Sequence, residues 1–381
     1  MACSLYIHIP FCLRKCAYCD FLSVPFDKGI SVRYVKALIK EIVLRAEDLN
    51  ASGGPSPLRT IYIGGGTPTL LSNESLKEIF KTIRECFGFS AGAEITIEAN
   101  PGTLDGSKME AIVLAGVNRL SLGVQSLDDA ELAALGRIHT GDDASRAAAL
   151  VKESGIENLS LDLIYGIPGQ RLKGWRNTLK RALGLKPRHI SAYELTPEPG
   201  TPLYESLRTG SLRLPGEDEV SDMFYLAVDE LESAGLLHYE ISNYAYPGYE
   251  CRHNLNYWRR GEYIGAGAGA HSFIGERRIK NTEDVFNYIE LLSSGSLPFD
   301  ELEEVRKEEA VKEFIFLGLR TGEGIDTRLL KGNASGLINA SRALIEGGFM
   351  ELRGDCLRLT KRGTALYSSV IVELFRAIGL D

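Results

Sequence analysis

The chain has 381 residues, 44% hydrophobic and 25% charged, which excludes large-scale disorder and allows one large domain or a large plus a small one. Forty-three Lys and Arg against 51 Asp and Glu leave a net charge of −8, the wrong sign for a protein that mainly grips phosphate backbones. No apolar run nears the ~18 residues that span a bilayer, and MACSLYIHIPF lacks the basic start and long apolar stretch of a secretory signal, so the expected location is cytoplasmic.

In chain order, short β-rich runs at Leu5 to Ile9, Thr60 to Ile63, Glu94 to Ala99, Leu120 to Val124, Leu159 to Tyr165 and Ile190 to Leu195 predict six strands. Between them Ser31 to Leu49, Ser72 to Phe87, Asp105 to Leu114, Asp142 to Glu153 and Trp175 to Leu185 show helical spacing, several with Ser or Asp caps. Strands alternating with helices mean parallel pairing with crossover helices. Six βα units without a dinucleotide glycine fingerprint favour an α/β barrel of the TIM type, incomplete at (β/α)6, over a doubly wound sheet.

After Leu195 the prolines at 197, 199 and 202 break the pattern, and a helix from Glu217 to Ser233 follows. The predicted domains are therefore a barrel over 1–200, a barrel extension over 201–299, and a C-terminal domain over 300–381. In the last, the charged run DELEEVRKEE leads into helical segments of a small, winged-helix-like module, expected to be a packing domain with a solvated acidic face.

Three of the seven cysteines fall within eight residues, in FCLRKCAYCDF directly after the first strand. The CxxxCxxC spacing of Cys12, Cys16 and Cys19 puts three thiolates on one loop at the strand's C-terminal end, which points to metal rather than to a disulfide scaffold. A structural zinc would need a fourth ligand, for which Asp20 or His8 is available, although zinc sites usually come as paired CxxC elements. A 4Fe-4S cluster on three thiolates would leave one iron open to a small chelating ligand. Cys3, Cys86 and Cys356 have no partner spacing and are expected to be ordinary buried thiols.

Strand two ends in YIGGGTPTLL, where Gly64, Gly65 and Gly66 either let backbone approach a ligand or make a tight turn. Glu98, Gln125 and Asp162 are polar groups on otherwise apolar strands. Buried carboxylates need donors, which ribose hydroxyls, amines or Arg137 would provide, with structural ion pairs as the alternative.

The cysteine triad resembles the radical S-adenosylmethionine (SAM) superfamily, in which SAM chelates the open iron. The series YIHIPFC, GGGTPT, a Glu in strand three, GVQ, a downstream Arg and DLIYG-P resembles its coproporphyrinogen dehydrogenase-like branch over residues 4 to about 375. That resemblance implies a 4Fe-4S cluster on Cys12, Cys16 and Cys19, SAM contacts at Tyr6, Gly65, Gly66, Thr67, Glu98, Gln125, Arg137 and Asp162, and Tyr18 beside the cluster. Two groups share this barrel: oxygen-independent coproporphyrinogen III dehydrogenases, which decarboxylate two propionates, and the HemW heme chaperones. The dehydrogenase motif usually reads CxxxCxxCxC after an N-terminal arm; here Phe21 replaces the fourth cysteine and only Met1 to Ser4 precede the strand.

In CRHNLNYWRR, His253, Asn254, Tyr257 and Trp258 spell HNxxYW, associated in the HemW group with heme binding. Neutral imidazole can ligate heme iron, aromatic rings can cover the macrocycle, and Arg252, Arg259 or Arg260 can pair with propionates. Cys251 is a rival ligand and His271 another, the latter expected to be a satisfied core histidine. The resemblance thus implies a chaperone that binds cluster, SAM and heme and delivers heme to acceptor hemoproteins, with respiratory ones at the membrane as candidates. Coproporphyrinogen III dehydrogenase activity is the alternative, and the composition implies no nucleic-acid partner.

Overall fold

The computed structural model describes residues 4–51, 57–330 and 334–379. Its six central strands are β1 (Ser4–Ile9), β2 (Leu58–Gly65), β3 (Phe89–Ala99), β4 (Arg119–Gln125), β5 (Asn158–Tyr165) and β6 (His189–Glu194), all parallel and adjacent in that order. Each alternates its side chains. In β5, Leu159, Leu161 and Leu163 are fully buried in the main core, while Ser160 and Asp162 face the barrel interior.

The helices between them lie where sequence periodicity puts them. In Asn73–Phe87 the buried residues Leu76, Ile79, Phe80, Ile83 and Phe87 recur at helical spacing, and Ser72 caps the start by accepting from the Ser75 N–H at 3.1 Å. The helix stops at Gly88, whose φ of 66° is left-handed.

The six strands do not close. Beyond β6, β7 (Leu237–Glu240) and β8 (Asn243–Ala245) add antiparallel strands to one edge. Beyond β1, β9 (Tyr263–Ala266) pairs parallel, followed by β10 (His271–Ile274), β11 (Arg277–Asn281) and β12 (Phe299–Glu304), giving a twelve-stranded sheet. The chain between β8 and β9 therefore crosses from one edge of the open barrel to the other. It carries the helix Arg252–Trp258, which holds the HNxxYW motif.

The acidic run expected to open the last domain is instead strand β12, an edge strand with every side chain exposed. It pairs with the basic β11, where Arg278 meets Glu303 at 3.1 Å and Lys280 meets Glu301 at 3.7 Å. Cross-strand charge, not burial, selects this partner. A second core then gathers Ile315, Leu319, Leu337, Leu344, Leu357 and Leu374 from three helices and a three-stranded sheet, a winged-helix-like unit. Among the described residues no helix is long and apolar enough to cross a membrane.

Candidate functional site

At the C-terminal ends of the strands lies a cavity of 430 Å³ that Cys12, Cys16 and Cys19 all line. Their loop is tied down by backbone: the Ala17 N–H donates to the Leu135 carbonyl at 3.1 Å, and the Ala17 carbonyl accepts from the Leu203 N–H at 2.8 Å. The sulfurs have donors. Arg137 Nη1 reaches Cys16 Sγ at 3.3 Å and Thr67 Oγ1 reaches Cys12 Sγ at 3.9 Å. Burial pushes the Cys12 and Cys19 thiols up, so a metal that binds there must displace protons.

Among the described residues no three His, Cys, Asp or Glu side chains converge as ligands of a single ion would. The three thiols face a common space instead, with charged and hydroxyl donors behind them, a donor set suited to a polynuclear iron–sulfur cluster. His8 is not free to complete a zinc site. Its Nδ1 is bonded to Tyr6 Oη at 3.0 Å and its Nε2 to the Leu22 carbonyl at 2.9 Å.

The glycine run is first a packing requirement. A Cβ at Gly64 would lie 2.8 Å from the Glu98 carboxyl carbon, and one at Gly66 would lie 2.6 Å from the Phe11 carbonyl oxygen. Gly65 has φ +111°, and there a Cβ would strike the His8 ring. The run therefore brings β2 hard against Glu98 and the cysteine loop, and Gly65 and Gly66 line the cavity.

Glu98 and Asp162 are both part-buried in the cavity wall, and Arg137 binds neither. Glu98 accepts from Tyr62 Oη at 2.7 Å and the Gly65 N–H at 3.1 Å. Asp162 accepts from Ser121 Oγ at 2.9 Å and Ser191 Oγ at 2.8 Å. Burial raises both carboxyls, Glu98 to about 7. Arg137 is spent on the Gly123 carbonyl at 2.7 Å, the Asn100 side chain and Cys16.

Of the sequence-predicted SAM residues, Gly65, Gly66, Glu98, Gln125, Arg137 and Asp162 line the cavity, as does Tyr18. Gln125 holds φ 65°, a strained conformation for a side chain other than Gly, as is common in ligand clamps. Tyr6 and Thr67 stand one layer back, against His8 and behind Cys12. Asn100, Arg119, Ser121 and Tyr193 also line the cavity and were not singled out. Arg119 and Ser121 were legible as the positions two residues apart that lead to Gln125 on one face of β4.

The HNxxYW residues do not share one surface. Asn254 lines the cluster cavity, whereas Tyr257 and Trp258 line a second cavity of 270 Å³ with Arg260, Tyr263, Phe273 and Arg278. His253 lies fully buried between them. Its Nδ1 is bonded to Thr60 Oγ1 at 2.8 Å and its Nε2 to Tyr257 Oη at 2.8 Å. Burial, with Arg119 nearby, lowers the imidazole to about 3. Glu94 holds the start of the helix, accepting from the Arg252 and His253 N–H groups, each at 3.0 Å.

The other heme candidates are equally engaged. Arg252 donates to the Gly92 carbonyl, Arg259 pairs with Glu323, and Arg260 pairs with Glu276 and Glu313. Cys251 is fully buried, its Sγ 3.8 Å from Glu94. His271, expected in the core, is exposed, because the short strand β10 turns its side chain outward. Cys86 and Cys356 are partly exposed rather than buried, and Cys3 lies outside the described residues.

Residues 6–182 match the radical SAM superfamily and residues 305–366 the HemN C-terminal domain. The chain is 38% identical over 373 residues to the heme chaperone HemW of Bacillus subtilis, covering 96% of this chain and 97% of that one. It is 44% identical over 274 residues to the Escherichia coli HemW, covering 70% and 69%. The solved coproporphyrinogen III oxidase HemN of E. coli superposes with a TM-score of 0.84 over 98% of this chain and 90% of that one, at 22% identity, a likeness of fold. The chain belongs to the HemW family of the radical SAM superfamily.

Proposed function

We propose that this protein is a cytoplasmic heme chaperone that binds a 4Fe-4S cluster, SAM and heme and passes heme to acceptor hemoproteins, respiratory ones at the membrane among them. Its free cluster cysteines suit a reducing compartment. Cys12, Cys16 and Cys19 would hold the cluster. SAM would lie in the cavity against Gly65, Gly66, Gln125, Glu98, Asp162 and Arg137, with Tyr18 at its side and with Tyr6 and Thr67 supporting from behind. Held together by these residues, cluster and SAM would supply one-electron reductive chemistry at the sulfonium.

The observation that carries the heme reading is the helix Arg252–Trp258, which puts Asn254 in the cluster cavity while Tyr257 and Trp258 line an aromatic cavity beside it. That second cavity has rings for a macrocycle face, and its guanidinium groups, Arg260 and Arg278, would reach propionates only by giving up Glu276, Glu303 and Glu313. His253 becomes an iron ligand only by exchanging its bond to Thr60 or Tyr257, so heme binding requires this helix to shift. The names borne by relatives that match over most of the chain support the same reading.

The test is an anaerobic incubation of heme-loaded, cluster-reconstituted protein with an apo-hemoprotein, run beside an assay with coproporphyrinogen III and SAM. Heme transfer without tetrapyrrole turnover is expected. Protoporphyrinogen IX at catalytic turnover would overturn the chaperone reading in favour of the dehydrogenase.

A further inference from the structure

Arg119 is the anomaly of the barrel interior. It is 2% exposed, lines the cluster cavity, and its Nε and Nη1 have no hydrogen-bond partner. Among the described residues it forms no ion pair. Glu94 and Glu98 each lie two residues from Thr96, the register partner of Arg119 on β3; the charge of Glu94 acts on Arg119, but its oxygens are occupied with the backbone of Arg252 and His253. A buried guanidinium left unpaired is costly unless its charge acts on something close by.

What lies close is the carboxylate layer. Arg119 is in register with Thr96, two residues before Glu98 on the same face of β3, and it is two residues before Ser121, which binds Asp162. Two residues along a strand advance about 7 Å, within the span of an arginine side chain. Arg119 therefore rises from the layer directly below Glu98 and Asp162 into the cavity they share.

We propose that Arg119 is a positioning residue of the ligand site, the fixed counter-charge that keeps Glu98 a carboxylate able to accept from the hydroxyl or amine groups of a bound cofactor. This rests on the proposed role of Glu98 in holding SAM. It explains why a charge is buried without an ion-pair partner: contact pairing with Arg119 would occupy the carboxylate oxygens that the ligand needs. The other titratable groups facing Glu98 are phenols and one acid: Tyr6 from β1, Tyr62 from β2, Asp162 from β5, Tyr193 from β6 and Tyr257 from the motif helix. None of these supplies positive charge, so Arg119 is the one cation that joins the hydrogen bonds from Tyr62 Oη and the Gly65 N–H in offsetting the burial and the neighbouring Asp162, both of which favour a neutral Glu98.

Infrared difference spectroscopy of ligand-free, cluster-reconstituted protein follows the Glu98 carboxyl directly, its band assigned by its loss in Glu98→Gln. In Arg119→Met the protonation midpoint is expected to rise by roughly one to two pH units, and Arg119→Lys is expected to restore it. SAM affinity in Arg119→Met should fall about tenfold near neutral pH and recover as pH rises through the shifted midpoint. An Arg119→Met protein with the parent's midpoint overturns the proposal. Should Arg119→Met fail to fold, the double variant with Glu98→Gln is expected to fold, since the uncompensated acid is then gone. A double variant no better folded would make Arg119 a scaffold residue and overturn it too. Failure of the parent to bind SAM would contradict the SAM reading of the site and leave the infrared result standing as the test of Arg119.

Discussion

The cluster cavity and the helix that carries HNxxYW differ in how their polar groups are used. In the cavity, Cys12, Cys16, Cys19, Gln125 and Arg119 face open space, and Arg119 has nitrogens with nothing to bond. On the helix and just after it most of the polar groups are closed off, with both His253 nitrogens engaged and Arg259 and Arg260 paired with glutamates, while the buried Trp258 Nε1 has no partner. The first region is preorganised for a ligand. The second is latched, and any ligand there must compete with bonds the protein already makes, which lowers its apparent affinity by the population of the open form.

The sharpest break of that contrast is at the cysteines. Cys12→Ala, Cys16→Ala or Cys19→Ala should each abolish the visible absorption of the reconstituted cluster and leave the circular dichroism of the barrel unchanged. The thiols touch solvent and add little to the core. An intact cluster in any one variant would remove that residue from the ligand set.

Next in size is pH, where the two regions should respond with opposite sign. Glu98 is raised to about 7, so between its ordinary value of 4.5 and 7 the folded state binds the proton more readily than the unfolded one. Its contribution to stability is lost as pH rises through that window. His253 is lowered to about 3, so its contribution is present above 6.5 and lost as pH falls from there. Each slope is on the order of 1 kcal/mol per pH unit where it acts, and in the parent they oppose one another between pH 4.5 and 6.5. Urea denaturation from pH 5 to 8 should therefore show Glu98→Gln gaining stability with pH and His253→Ala losing it. Parallel profiles in the two variants would mean that the regions are not electrostatically distinct.

The smallest expected effect probes the latch. Tyr257→Phe keeps the ring and removes the hydroxyl bonded to His253 Nε2. Heme should bind a few-fold more tightly to this variant, because one competing hydrogen bond of about 1 kcal/mol is gone. Weaker binding would show instead that the hydroxyl contacts the ligand.

The six strands were legible because their apolar faces alternate with polar ones and turn residues end them. The cysteine loop was legible because three thiols within eight residues suit a metal site and not a disulfide scaffold. Strand β12 was not, since FDELEE buries nothing and is chosen by the charges of β11. Within the site, Glu98 and Asp162 stood out as lone acids in apolar runs, but their partners, Tyr62 and the serines at 121 and 191, come from neighbouring strands whose register no local pattern reveals. The same limit applied to His253. Its chemistry as a ligand was readable from residue type, whereas the occupation of both ring nitrogens depends on Thr60, 193 positions away in the chain.

On the proposed reading, this helix binds heme through His253 once the latch opens. That reading is tested most directly by anaerobic heme titration of the cluster-reconstituted parent and His253→Ala, followed optically. The expected result is tight binding by the parent, at least tenfold weaker binding by the variant, and the same cluster spectrum in both. Equal affinity and identical heme spectra would contradict it and move the ligand elsewhere on the chain.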